Sequence, residues 1–322
     1  MLSPDRSRAA GLLLGLAADR WLGDPERGHP VAAFGRLAAA LERRWWADSV
    51  LRGLGHALVL TGGTALAGVA VERATARHPV THAAATAVAT WVVLGGTTLG
   101  REAAAVEGFL EVGDLPAARA QVGRIVGRST TALDEAGVAR AAVESAAENT
   151  ADAAVAPLLW GAVAGVPGLL GYRAANTLDA MVGHRSPRHD RFGRASARLD
   201  DLLNLPASRL TGALAAGLAP TVGGRPRAAL AAWRRDAAAH PSPNAGVVEA
   251  AFAGALGVAL GGETPYPYGT QHRPLLGAGP APGAHDVRRA VALSTRVQVA
   301  AGLACAALAA RRGRSSESPV SR

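Results

Sequence analysis

Two long apolar segments constrain this chain more than any other feature. Val50–Val71 and Pro79–Gly100 are each long enough to cross about 30 Å of hydrocarbon at about 1.5 Å per residue. Both are rich in Gly, Ala and Thr, the small residues that let membrane helices approach closely. The short connector Glu72–His78 suits a helical hairpin. Buried helices of a soluble α-protein could carry the same runs, but composition favours the membrane. Only 18% of residues are charged, against about 25% in a typical soluble domain, and mean hydropathy is +0.15.

Weaker apolar stretches follow. Ala153–Gly171 is interrupted by Pro157, Gly161, Gly165, Pro167 and Gly168, and reads as a broken or re-entrant helix lining a cavity. Leu205–Val222, Val247–Gly261 and Val291–Ala310 are further candidates. The last runs into Arg311, Arg312 and Arg314, and the Ser-rich tail 313–322 reads as disordered. Ala9–Ala18 has the look of a signal-peptide core, yet Asp19 and Asp24 follow it directly, so it reads as a retained helix. Gly23-Asp24-Pro25 is a turn signature. Arg101–Asp152 is polar and helical in pattern, with a helix start at Thr130–Asp134. Alternation at period two is absent, so no strand is expected. The predicted fold is all-α. It is a polytopic integral membrane protein with a helical hairpin, a broken or re-entrant helix and cytoplasmic helical loops, in one domain over 1–312.

The net charge is +9, every strong base is arginine, and the pI is about 11.1. Nucleic acid is a poor partner for such a chain: the apolar runs are long, aromatic residues are 4%, and no nucleic-acid-binding motif occurs. Arginines flanking membrane segments on the cytoplasmic side account for the charge. The single cysteine, Cys305, excludes an internal disulfide and a multi-cysteine zinc site, and reads as a packed small residue. P-loop, HExxH, Gly-x-Ser-x-Gly and CxxC motifs are all absent.

The polar residues gather in blocks. Glu144, Glu148 and Asp152 are spaced four apart, with Asn149 beside them. On a helix that puts three carboxylates on one face, where they repel unless a cation sits among them. Mg²⁺ suits carboxylate and amide oxygens and keeps waters or phosphates as its other ligands; a solvated face paired with arginines is the alternative. A second block holds Arg173, Asn176 and Asp179, and a third holds Arg198, Asp200, Asp201, Asn204 and Arg209. Between them His184, Arg185, Arg188, His189, Arg191 and Arg194 form a basic loop. Arginine forks suit phosphate oxygens, although such a loop also satisfies the positive-inside rule. A further element, His240–Gly246, precedes Glu249, with Asn244 placed to cap the helix it opens.

Together these blocks resemble the CobD/CbiB family of cobalamin biosynthesis, the adenosylcobinamide-phosphate synthases. The resemblance rests on Asp19–Leu37, Gly123–Trp160 with its ESxxEN core, Gly171–Gly212 with YRxxNTLDxMVG, and His240–Gly262. These stand in family order and cover most of the chain from Asp19 to about Gly277. One departure is Asp152-Ala153, where the family carries Asp-Gly.

The resemblance implies an integral membrane enzyme of the cytoplasmic membrane, its active site facing the cytoplasm. It would use ATP to join aminopropanol, free or as its phosphate, to a carboxyl of adenosylcobyric acid. A corrinoid is then a substrate, Mg²⁺ the metal and ATP the cosubstrate, with room for assembly with other corrinoid enzymes. In that reaction Glu148 and Asp152, with Glu144 or Asn149, are expected to hold Mg²⁺. Asp179, Asp200 and Asp201 would hold a second ion or orient the amine. Arg173, Arg185, Arg191, Arg198 and Arg209 would face phosphate groups, with Asn176 and Asn244 in the binding set. One of the carboxylates would deprotonate the incoming ammonium. A non-catalytic scaffold of the same fold and an anionic-solute transporter are the competing readings.

Overall fold

The structure is a computed structural model that describes residues 4–25, 28–184, 186–266 and 269–315. In chain order the helices are α1 (Pro4–Leu22), α2 (Pro30–Trp45), α3 (Val50–Thr75), α4 (Pro79–Val93), α5 (Gly96–Glu111), α6 (Leu115–Val122) and α7 (Glu135–Thr150). Then come α8 (Ala156–Leu178), α9 (Arg194–Leu218), α10 (Pro226–Asp236) and α11 (Ala245–Leu256). A hairpin, β1 (Leu260–Tyr266) and β2 (Gly269–Leu276), precedes α12 (Ala284–Ser315). The chain divides into two compact units, one of residues 1–95, 156–204 and 301–322, the other of 96–155 and 205–300.

The all-α membrane architecture is the one the apolar runs predict. Among the described residues four helical stretches are long and apolar enough to cross a membrane: Val50–Thr75, Pro79–Glu111, Glu135–Gly183 and Ala284–Arg311. On α3 the inward face is Gly53, His56, Ala57, Leu60 and Gly68, while Leu51, Leu58, Val59 and Leu66 project outward. Such an exposed apolar face is what hydrocarbon solvates and water does not.

In the first unit α3 packs chiefly along α8, and α4 along α1, so the consecutive pair α3–α4 find their main partners elsewhere. Gly11 and Gly15 of α1 are the reason for the second contact. A Cβ on Gly11 would lie 2.7 Å from the Ala83 carbonyl, and one on Gly15 would lie 2.6 Å from the Ala87 carbonyl. This is a small-xxx-small seam of the kind that joins membrane helices. The broken-helix reading of Ala153–Gly171 holds: Gly165 has φ 67° and ψ −149° inside α8. The freed Val166 N–H donates to Glu72 Oε2 (2.9 Å). Glu72 Oε1 in turn accepts from Arg8 (2.7 Å) and bonds His82 Nε2 (3.1 Å).

Several expectations need correction. Pro79–Gly100 is not one helix, because the chain leaves helical geometry at Leu94 (φ −72°, ψ 156°) before α5 begins. Neither Leu205–Val222 nor Val247–Gly261 is among the four spans; α11 has only 12 residues, too short for about 30 Å. Strands were not expected, yet β1 and β2 pair antiparallel. Gly261 and Gly262 at positive φ and a register shift between Leu260 and Gly262 break the alternation that marks a strand in sequence. Residues 316–322 of the tail lie outside the described residues, and α12 runs to Ser315.

Candidate functional site

Each unit carries its own polar cluster. In the first, α8 and α9 bring together the blocks around Asn176 and Asp200. Asp200 is buried (7% exposed) and accepts from Asn176 Nδ2 at Oδ1 (3.1 Å) and from Asn204 Nδ2 at Oδ2 (3.0 Å). Tyr172 donates to Asn204 Oδ1 (2.9 Å), and Arg173 Nη1 to Asn176 Oδ1 (3.5 Å). The helical periods decide this order: Asp200 and Asn204 are one turn apart, as are Tyr172 and Asn176. Burial, reinforced by the charge of Asp179 and then of Asp201, lifts the Asp200 carboxyl from 3.8 to about 7 against the two amide bonds. Neither amide donor can offset the lost hydration of a carboxylate next to a second negative charge.

The rest of the basic loop is bound differently. Arg188 and His189 both reach Glu42 Oε1 (3.1 and 2.9 Å), and Arg188 stacks over Trp46. Arg191 is exposed and meets Asp48 (3.5 Å), and Arg198 is exposed on α9. Arg185 lies outside the described residues. Arg188 and Arg191 thus serve α2 and the link after it, rather than the Asp200 cluster, and Arg194 pairs with Asp190 (3.4 Å).

In the second unit Asp134 caps α7 through Gly137 N (2.8 Å), and α7 then presents the acidic block. Its three carboxylates differ in environment, because the π-helical turn Ala151–Val155 shifts Asp152 out of the α-helical register. Glu144 is buried, Glu148 exposed and Asp152 half-buried. Glu144 Oε1 accepts from Gly261 N (2.7 Å), and Oε2 pairs with Arg128 Nη2 (2.6 Å). Asn149 spends its NH₂ on Ser145 O (2.9 Å) and Ser145 Oγ (3.1 Å). The like-charge problem of the stripe is therefore met at Glu144 by an arginine and a backbone amide. Among the described residues no group of three or more His, Cys, Asp and Glu is assembled to hold a metal ion.

Asn244 does not cap α11 with its side chain. Its Oδ1 accepts from Ser208 Oγ and Arg209 Nη1 (both 2.9 Å), and Ser242 Oγ accepts from the backbone of Asn244 and Ala245 (both 3.2 Å). Arg209 and Asn244 are thus joined, as two members of the expected binding set. A cavity of about 650 Å³ lies against α7 and the hairpin, its wall including Asp134, Arg140, Gly261 and Glu263. Arg140 Nη2 donates to Glu263 O across it (2.9 Å).

Two further polar residues were not assigned as site residues from sequence: Arg128 and Glu249. Arg128 is one of 34 bases and has no local mark. Glu249 had a signal, being the lone charge of the helix AGVVEAAFAGAL. It is 1% exposed, and burial, with the charges of Glu144 and Glu148, holds its carboxyl well above the usual range.

A helical membrane protein with a buried carboxyl of raised proton affinity in each unit, Asp200 in one and Glu249 in the other, is the class these features define. Comparison with known proteins places it further. The family described as CobD/Cbib protein matches residues 12–294, and the chain belongs to that family. A Mycobacterium tuberculosis protein named "Cobalamin biosynthesis protein CobD" is 53% identical over 308 residues, 95% of this chain and 97% of that one. Proteins of the same name from Rhodobacter capsulatus (44% over 298 residues; 89% and 93%) and Chromobacterium violaceum (43% over 294 residues; 88% and 91%) are also similar. No solved structure matches.

Proposed function

We propose that this chain is a cobalamin-biosynthesis enzyme of the cytoplasmic membrane, an ATP-dependent ligase that joins aminopropanol or its phosphate to a carboxyl of adenosylcobyric acid. Family membership and the names of the relatives support the pathway. The reaction type rests on one observation, the buried Asp200 carboxyl with a proton affinity near neutrality. Amide formation requires the substrate carboxylate to become a leaving group, by transfer of the terminal phosphoryl of ATP to give an acyl phosphate and ADP. The amine then attacks, phosphate leaves, and the nitrogen gives up its proton. A base poised near the working pH suits that last step, and Asp200, steadied by Asn176 and Asn204, is our candidate.

Glu148 and Asp152 would supply carboxylate oxygens, and Asn149 an amide oxygen, to a hydrated Mg²⁺, which binds through one or two carboxylates and keeps its other positions for phosphates. Bound there, Mg²⁺ would neutralise charge on the transferring phosphoryl group. Glu144 does not fit that set, because Arg128 and Gly261 N already hold its oxygens.

Purified full-length protein in detergent, given adenosylcobyric acid, Mg-ATP and either amine, should form the amide product, read by mass spectrometry. Asp200→Asn should lower kcat by about 10²-fold or more, the usual size of a general-base contribution, and Glu148→Gln and Asp152→Asn should raise the Mg²⁺ requirement. Folded wild-type protein that gives no product with either amine refutes the ligase in favour of the scaffold or transporter.

A further inference from the structure

The corner where α2 turns into α3 holds more positive charge than its own carboxylates answer. Residues 36–52 and 188–194 carry seven arginines against three carboxylates. Each carboxylate is already taken: Glu42 by Arg188 and His189, Asp48 by Arg191, and Asp190 by Arg194. Arg36, Arg43, Arg44 and Arg52 are exposed, and among the described residues they form no ion pair. The loop is fixed to this corner. Arg188 stacks 4.7 Å from the Trp46 ring, and Trp46 Nε1 donates to Arg188 O (3.0 Å). The Phe192 carbonyl fills the place a Cβ on Gly53 would take, and the Phe192 ring lies 5.2 Å from that of His56.

The same corner opens onto the face that hydrocarbon solvates. α3 is one of the four candidate spans, and Ser49 caps its start, so Arg43, Arg44 and Arg52 stand at the end of a membrane-crossing helix. Trp46, 39% exposed, is of the residue type that settles at headgroup level. Arg52, Val59 and Leu66 are spaced seven apart, as are Leu51 and Leu58, so each set forms one stripe along the helix. Leu51, Leu58, Val59 and Leu66 are all exposed. From Arg52 to Leu66 the stripe runs about 21 Å, at about 1.5 Å per residue. A soluble anion would use the arginines and leave the stripe bare. A neutral lipid would cover the stripe and leave the guanidiniums unanswered. A molecule with an anionic head and an apolar tail uses both.

We propose that this corner binds an anionic phospholipid, its phosphate on Arg43, Arg44 and Arg52 and one acyl chain along Val59 and Leu66. Guanidinium forks match phosphate oxygens, and basic clusters beside a span draw anionic headgroups. Arg188 is held by Glu42 and Trp46 and keeps the wall of the site in place. The proposal is independent of the ligase reading, since Arg43, Arg44 and Arg52 belong to neither polar cluster described above. Arginines that only orient the chain in the bilayer would make no choice between headgroups.

Native mass spectrometry of the full chain in detergent reads that choice, with phosphatidylglycerol and phosphatidylcholine of identical acyl chains as probes. Wild type should hold phosphatidylglycerol at least tenfold more tightly. At about fivefold for each arginine near the surface, Arg43→Gln, Arg44→Gln and Arg52→Gln together should weaken phosphatidylglycerol binding on the order of 10²-fold and leave phosphatidylcholine unchanged. Arg225→Gln, Arg227→Gln and Arg234→Gln remove the same charge from exposed positions of α10 and its start, and should leave both lipids unchanged. Glycerol phosphate, which has the head without the chains, should not displace phosphatidylglycerol at equal concentration. Equal retention of the two lipids by wild type overturns the proposal, and needs no variant to fold. Displacement of phosphatidylglycerol by an equal concentration of ATP or inorganic phosphate also overturns it, making the arginines a site for a soluble anion. An equal loss in the α10 variant overturns it too, by reducing the effect to overall charge.

Discussion

Replacing Asp200 by Asn should change how stability depends on pH. The carboxyl titrates at about 7 when folded, against 3.8 for its ordinary value. The folded state therefore holds a proton that the unfolded chain releases, between about pH 4 and 7. Stability is greatest below the lower value and falls as pH rises through the upper one. Three units at about 1.4 kcal/mol each make a loss on the order of 4 kcal/mol. Asn cannot ionise and escapes that loss. It has one acceptor where Asp200 uses two, for Asn176 and Asn204, so one bond is lost at a cost of about 1 kcal/mol. Above pH 8 the variant should be more stable than wild type by about 3 kcal/mol. The assay is Tm in detergent from pH 4 to 8. At about 2–4 °C per kcal/mol for a chain of this size, wild type should lose several degrees across the range while Asp200→Asn stays level. Parallel curves, or a flat wild type, refute the reasoning.

Other substitutions read other contacts. Glu144→Gln leaves Arg128 buried without its counter-charge and should cost about 3–5 kcal/mol; adding Arg128→Met should restore part of the lost Tm. Gly165→Ala forces a side chain onto φ 67° and sets its Cβ 2.6 Å from a Glu72 carboxylate oxygen, so a loss of at least about 2 kcal/mol is expected, read as monodisperse yield after solubilisation. Gly11→Ala closes the α1–α4 seam and should cost about 1–3 kcal/mol. Gly62→Ala in α3, whose Cβ would meet nothing within 4 Å, should be neutral or stabilising by up to about 1 kcal/mol, as measured by Tm.

The membrane class, the helices and the break in α8 were legible in the chain because each follows from local rules. Hydrophobic length selects a span, a run of Gly and Pro interrupts a helix, and Asp134 caps the helix it precedes. The acidic block was legible as a block but not as an arrangement, since the π-helical turn after Thr150 leaves no mark in the residue pattern that would separate Asp152 from Glu148. The β-hairpin was hidden for the same kind of reason, its glycines removing the alternation that the tertiary contacts make unnecessary.

What the sequence alone determined is which segments are apolar, where helices start and break, and which blocks hold carboxylates, because these depend on neighbours a few positions away. Only the tertiary structure decided that Asn176 bonds Asp200, that Arg128 takes Glu144, and that Glu249 is buried. Those outcomes depend on residues of different elements, 16 positions apart for Arg128 and Glu144 and 24 for Asn176 and Asp200, meeting in a medium of low dielectric. There, the loss of water sets the charge state of a carboxyl more strongly than its identity does.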